Sequence, residues 1–179
     1  NNRSQVTSYQ WTIDTTLPVL SLQSSPASLN NLTSAALTFA ATDANSISGY
    51  QCQINGGQYS SCSSPLNLSD LTTGVQNVNI QAMDMAGNLS QSLNITWTTD
   101  LLSPTTVIQT SPQSVNNSTT ASLTFTGSDF GGGSIDHFEC STDQNNYSLC
   151  TSPFQLNNLT VGVQQIYVRA IDTAANVGT

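Results

Sequence analysis

The chain repeats itself, and the repeat limits what it can fold into. Trp11-Thr12-Ile13-Asp14 recurs as Trp97-Thr98-Thr99-Asp100, a shift of 86 residues. At that shift Pro18 falls on Pro104, Asn30-Asn31 on Asn116-Asn117, Leu37-Thr38-Phe39 on Leu123-Thr124-Phe125 and Asp43 on Asp129. The segment Gly131-Gly132-Gly133 then lengthens the shift to 88, where Tyr50 meets Phe138, Cys52 meets Cys140, Cys62 meets Cys150 and Pro65 meets Pro153. Ala82-Met83-Asp84-Met85-Ala86-Gly87-Asn88 meets Ala170-Ile171-Asp172-Thr173-Ala174-Ala175-Asn176. Ordered self-similarity of this kind marks two copies of one structural unit, each about 86 residues long.

Within a unit the hydrophobic period is two, the period of a strand. Val19–Leu22, Ala35–Ala41, Tyr50–Ile54, Gln58–Cys62 and Val75–Met83 read as strands, and Leu93, Ile95 and Trp97 alternate in a closing strand. Val78, Ile80 and Ala82 should point inward, and Asn77, Asn79 and Gln81 outward. Asn55-Gly56-Gly57 between two strands is a hairpin signal. About seven short strands with frequent turns predict an all-β fold, two tandem Ig-like antiparallel β-sandwiches with almost no helix. We expect 1–16 to be the closing strand of a preceding unit, or a donor strand, plus linker. Residues 17–99 form the first domain and 100–179 a second that lacks its last strand.

Cys52 and Cys62 lie symmetrically about that hairpin turn, and Cys140 and Cys150 repeat the spacing. Opposed cysteines on adjacent antiparallel strands suit a disulfide, so two are expected, with two buried thiols per domain as the other reading. The pairs are not Cys-x-x-Cys and the chain has one histidine, His137, which argues against zinc. Paired cysteines indicate an oxidising, extracellular or cell-surface setting.

Composition removes whole classes of function. The net charge is −8, with two arginines, Arg3 and Arg169, and no lysine. Such a chain cannot neutralise a nucleic-acid backbone or an anionic membrane. Without lysine it can form neither a Schiff base nor a lysine isopeptide crosslink. No run of 18 apolar residues is present, so direct membrane insertion is not expected. No signal-peptide pattern opens the chain, so a mature form or an excised fragment is expected. The 26 serines, 24 threonines and 18 asparagines suggest disorder, yet 37% of residues are hydrophobic and alternate in short runs, which favours folded β structure.

The run Tyr50 to Gly57, Cys62, Ser64-Pro65, Leu71, Gly74 and Ala82 to Asn88 resembles the tandem Ig-like repeats of large bacterial surface proteins, and Trp11 to Pro18 resembles the linker between them. The resemblance implies a structural, non-catalytic role as a unit of an extracellular filament, stalk or adhesin. An adhesin module that binds a glycan or protein through end loops is the alternative. The expected partners are other copies of the chain or neighbouring repeats of a longer one.

Counting back from the two tryptophans, Asn2-Arg3-Ser4 corresponds to Asn88-Leu89-Ser90. The first unit therefore has a spare strand in front, around Gln5 to Ile13, and the second ends before its closing strand. One reading makes Val6, Tyr9, Trp11 and Ile13 a donor strand that completes the second domain of the next copy. Another makes the chain a window of a longer array, and a third makes 5–13 a first strand of unit one.

No cofactor is required by any of these residues, and calcium is the only metal worth weighing. Aspartates 14, 43 and 84 recur as 100, 129 and 172. The resemblance implies that such residues can hold calcium at domain junctions, and Asp14, Asp84, Asp100 and Asp172 are the candidates, with Asp84 and Asp100 meeting near the junction. The other reading has Asp84 and Asp172 capping the Ala-Gly-Asn turn. Asn31, Asn67, Asn94, Asn117, Asn146 and Asn158 begin candidate glycosylation sequons. His137 corresponds to Gly49 in the other copy, so it reads as a strand residue and not a catalyst. Trp11 and Trp97 read as core or junction residues.

Overall fold

The computed structural model describes residues 2–178. The chain is all-β and Ig-like, with no helix among the described residues. The first copy contains β1 (Val19–Ser24), β2 (Leu29–Asn30), β3 (Ala35–Thr42), β4 (Ile47–Ile54), β5 (Ser60–Cys62), β6 (Leu66–Leu68), β7 (Gly74–Asp84) and β8 (Leu93–Thr99). The second contains β9 (Thr105–Thr110), β10 (Ala121–Ser128), β11 (Ile135–Ser141), β12 (Ser148–Cys150), β13 (Phe154–Leu156) and β14 (Tyr167–Asp172). By contact the chain divides into two compact bodies. One comprises Asn1–Ser25, Leu37–Leu66 and Asn77–Ile95, the other Pro26–Ala36, Asn67–Gln76 and Thr96–Thr179.

In the first copy a three-stranded sheet, β1-β3-β6, faces a five-stranded sheet, β2-β8-β7-β4-β5. Phe39 of one sheet meets Tyr50 of the other edge-on, with ring centroids 5.0 Å apart. The Tyr50 hydroxyl accepts the Ala41 N–H at 3.1 Å. The alternation along β7 is as the sequence requires: Val78, Ile80 and Ala82 are fully buried. With Leu37 they form the core, and burying each large aliphatic side chain is worth about 2 kcal/mol.

The second copy repeats this plan, with sheets β13-β10-β9 and β12-β11-β14. Phe125 and Phe138 repeat the edge-on pair at 5.0 Å. The Phe39 N–H donates to Ser64 Oγ and the Phe125 N–H to Ser152 Oγ, both at 2.9 Å. Each copy carries its disulfide across the same hairpin, Cys52–Cys62 and Cys140–Cys150. In register Cys52 faces Ser60 and Tyr50 faces Cys62, so the bridge is diagonal across the strand pair.

Residues 2–18 form no strand. The reading of 5–13 as a first strand of unit one is therefore wrong. That segment lacks ladder partners in its own chain, because β1 already occupies the edge beside β3.

The Ala-Gly-Asn turn after β7 needs a left-handed residue in both copies. Gly87 has φ 90° and Ala175 has φ 70°. A Cβ at Gly87 meets nothing within 4 Å, so the cost of alanine there is the backbone conformation alone. Ala175→Gly is expected to stabilise the second copy by about 1 kcal/mol and Gly87→Ala to destabilise the first by a similar amount, read from denaturant midpoints.

Candidate functional site

Two features stand out, an open sheet edge in the second copy and an aspartate node in each copy. The edge is best seen by comparing repeat positions. In the first copy β8 pairs with β7 and with β2, and it buries Ile95 (7% exposed), Trp97 (3%) and Thr99 (0%). In the second copy β14 neighbours β11 alone among the described residues.

The chain leading into β14 differs from its counterpart leading into β7. Strand β7 starts at Gly74, but β14 starts only at Tyr167, the counterpart of Asn79, and 162–166 stay outside the ladder. A backbone without a partner strand has no sheet in which to satisfy its N–H and C=O groups. Gln76 is buried while its counterpart Gln164 is exposed, although each donates to the carbonyl four residues earlier. Val78 is fully buried and its counterpart Ile166 only half-buried. Val115, Val161 and Val163 are exposed. A groove of about 600 Å³ runs here, lined by Ile108, Val115, Leu123, Leu159, Val163 and Ile166 among others.

The residues expected to form a donor strand are all exposed: Val6 97%, Tyr9 85%, Trp11 70% and Ile13 80%. Tyr9 and Trp11 stack on each other, with centroids 6.0 Å apart. By the 86-residue shift Tyr9, Trp11 and Ile13 stand where Ile95, Trp97 and Thr99 are buried in β8. Val6 stands at Ser92, on the opposite parity, so it falls outside the inward-facing set.

The aspartates assemble by copy. Asp14, Asp43 and Asp84 each place a carboxylate oxygen within 4.8 Å of the others, and so do Asp100, Asp129 and Asp172. Asp84 belongs to the node of the first copy and Asp100 to that of the second. The linker aspartate that opens a copy joins the turn aspartate that follows its long strand.

In the first node Asp84 Oδ1 accepts the N–H groups of Ala86 and Asn88, both at 2.8 Å, which is the turn cap. Asn88 Nδ2 donates to Asp84 Oδ2 at 2.8 Å and to the Asp14 carbonyl at 3.1 Å, tying linker to turn. Burial pushes the Asp84 carboxyl up, but the Asn88 side chain and the backbone donors of the turn outweigh it and hold the group below its ordinary range. The Thr16 N–H, helped by the Asn45 amide, likewise lowers Asp14. Asn45 also donates its backbone N–H to Asp43 at 2.9 Å.

The second node repeats the clamp. Asp172 Oδ1 accepts the N–H groups of Ala174 and Asn176 at 2.8 Å, and Asn176 Nδ2 reaches both Asp172 Oδ2 and the Asp100 carbonyl at 2.9 Å. Asp100 and Asp172 are buried, at 0% and 2% exposure. The Gly131–Gly133 segment lies over Asp100, and the Gly133 N–H donates to its Oδ2 at 3.0 Å. A Cβ on Gly131 would overlap the Asp100 carboxylate, which is why glycine stands there. Both carboxylate oxygens of Asp129 are shut off from solvent and have no hydrogen-bond partner. Like charges about 4 Å apart repel by roughly 4 kcal/mol at an effective dielectric near 20, so three gathered carboxylates are costly without a cation. All the ligand atoms are oxygens, which suits a hard ion such as calcium.

The clamping asparagines, Asn88 and Asn176, and the third aspartates, Asp43 and Asp129, were not among the predicted site residues. Their exact repetition is the sequence signal that could have found them. Of the sequon asparagines, Asn67, Asn94, Asn117, Asn146 and Asn158 are exposed and Asn31 is half-buried. His137 on β11 is held by Asp136 at 2.7 Å, and Glu139 pairs with Arg169 at 2.7 Å. Arg169 also lies over the Tyr147 ring, 3.8 Å from its centroid.

No protein-family model matches the chain, and no curated protein matches it. Among solved structures it is similar to the fibronectin(III)-like modules of Clostridium thermocellum CbhA, at 17% identity and a TM-score of 0.49, with 90% of each chain covered. The likeness to bacterial surface repeats rests on the motifs themselves.

Proposed function

We propose that the chain is a structural, non-catalytic repeat module of an extracellular filament, stalk or adhesin, and that its second copy is completed by residues Thr7–Ile13 of another copy. The observation that carries this reading is the side of β14 away from β11, which has no strand beside it among the described residues and begins next to the groove that ends at Ile166. In the first copy the equivalent side of β7 pairs with β8, and among the described residues 7–13 carry the same pattern, exposed and in no strand. Strand addition would give β14 a ladder and cover Ile166 and Val168 with Tyr9, Trp11 and Ile13. The contact is heterologous: the front of one copy meets the back of the next. It does not close on itself, so it propagates into a fibre.

The two disulfides support an oxidising location. The mirrored hydrogen bonds and turns support a spacer, since matching turns in tandem suit repetition better than recognition.

Sedimentation velocity at rising protein concentration tests the assembly. Species that lengthen in whole-chain steps are expected. A well-folded chain that stays monomeric at the highest concentration overturns strand exchange and leaves a module completed by residues of a longer chain.

A further inference from the structure

We propose that the groove of the second copy is a slot with two backbone walls, and that residues 11–14 of another copy enter it between the 114–116 segment and the 161–166 segment, an inference that rests on the strand exchange proposed above. The incoming strand is then an interior strand, parallel to 114–116, and not an addition to a single edge.

The first copy shows the filled form. There β8 lies between β7 and β2. Strand β2 runs parallel to it, with Leu29 beside Thr98 and Asn30 beside Thr99. The Thr98 N–H donates to the Ser28 carbonyl and the Asp100 N–H to the Asn30 carbonyl, both at 2.8 Å. At the repeat shift those acceptors fall on Ser114 and Asn116, and the donors on Thr12 and Asp14. Ser114, Val115 and Asn116 line the groove, and so do Val161, Gly162 and Val163. Among the described residues neither the Ser114 nor the Asn116 carbonyl accepts a backbone hydrogen bond.

The 114–116 wall already has its shape. Asn116 Nδ2 donates to the Gln113 carbonyl at 2.9 Å, and the Ser118 N–H donates to Asn116 Oδ1 at 3.0 Å. Asn30 makes the same two bonds with Ala27 and Leu32, at 3.2 and 3.1 Å. The Leu159 N–H donates to the Thr119 carbonyl as the Leu71 N–H does to Thr33, both at 2.9 Å. The second copy adds a bond of its own: Ser118 Oγ donates to the Thr120 carbonyl at 2.7 Å, where the first copy has Leu32. A loop that keeps one bonded shape with and without a strand beside it loses little freedom when the strand docks, so its two carbonyls are preorganised acceptors. In this register Trp11, at the position of the buried Trp97, meets the apolar lining of Ile108, Leu123, Leu159 and Ile166.

Alternate N–H groups of a strand point to opposite sides, so the N–H groups of Gln10 and Thr12 both point away from β14. Only Thr12 reaches the wall: in the first copy Thr96, the counterpart of Gln10, makes no backbone bond to the β2 loop among the described residues. A dye-labelled peptide of residues 5–16 titrated with the whole chain and read by fluorescence anisotropy, beside the same peptide N-methylated at Thr12 or at Gln10, tests the slot. Methylation at Thr12 is expected to weaken binding at least about tenfold, and methylation at Gln10 to change it by less than about twofold. A Thr12-methylated peptide that binds as well as the unmodified one overturns the slot and leaves strand addition along β14 alone. Equal losses from the two methylations overturn it too, because the loss then does not depend on the wall. No binding of the unmodified peptide overturns the strand exchange together with the slot.

Discussion

Replacing Trp97 by alanine is expected to cost the first copy about 3–5 kcal/mol, whereas the same change at Trp11 is expected to leave the stability of the isolated chain unchanged. The two tryptophans occupy the same position of the repeat, yet Trp97 is 3% exposed and Trp11 is 70% exposed. Truncating Trp97 empties the space between the sheets and removes the anchor that holds β8 against β7. Truncating Trp11 removes a side chain that only stacks on Tyr9 within its own chain. Urea denaturation monitored by circular dichroism measures both. Trp11→Ala is further expected to abolish concentration-dependent association, because Trp11 would take the place in the second copy that Trp97 takes in the first. A loss of several kcal/mol from Trp11→Ala would mean that the segment is already packed within its own chain.

Removing the second disulfide, as Cys140→Ala with Cys150→Ala, is expected to destabilise the second copy by about 3 kcal/mol. Each bridge closes a loop with a sequence separation of 10, so the loop-closure entropy released in the unfolded chain is alike for both copies. The consequences differ. In the first copy β8 pairs with β7 and Val78 is fully buried, while in the second no strand lies beside β14 on that side among the described residues and Ile166, the counterpart of Val78, is half-buried. Domains are stable by only about 5–15 kcal/mol, so the copy with less buried surface has less to lose. Denaturation of the double variant should split into two steps, the second copy unfolding first. The matching Cys52→Ala, Cys62→Ala protein should keep its steps closer together. A single unsplit transition in the Cys140 variant would show that the second copy does not depend on the bridge.

Much of the fold is legible from period alone. Alternation along Val78, Ile80 and Ala82 fixes which face of β7 is buried, and the hairpin signal at Asn55-Gly56-Gly57 places the cysteines that bridge it. What period cannot show is whether a strand has a neighbour. Val161, Gly162 and Val163 carry a strand-like pattern from their match to the first copy, but without a partner strand the ladder begins only at Tyr167. The aspartate nodes were half legible. Repetition marked the residues, but adjacency near the linker suggested Asp84 with Asp100. The Asn88 and Asn176 amides, which each bind the turn aspartate and the linker carbonyl of one copy, are visible only in the structure. The glycine insertion that lengthens the repeat is the segment that lies over Asp100, and it stands where the first copy has Asn45.

The central claim is that the edge of β14 accepts a strand with the pattern of residues 7–13. Hydrogen exchange of the backbone amides from Gly162 to Arg169, with and without a peptide of residues 5–16, tests it most directly. Binding of the peptide is expected to slow exchange across 162–169 and leave β7 unchanged, and a peptide with Trp11 and Ile13 replaced by serine is expected to do nothing. Equal exchange with both peptides would contradict the account.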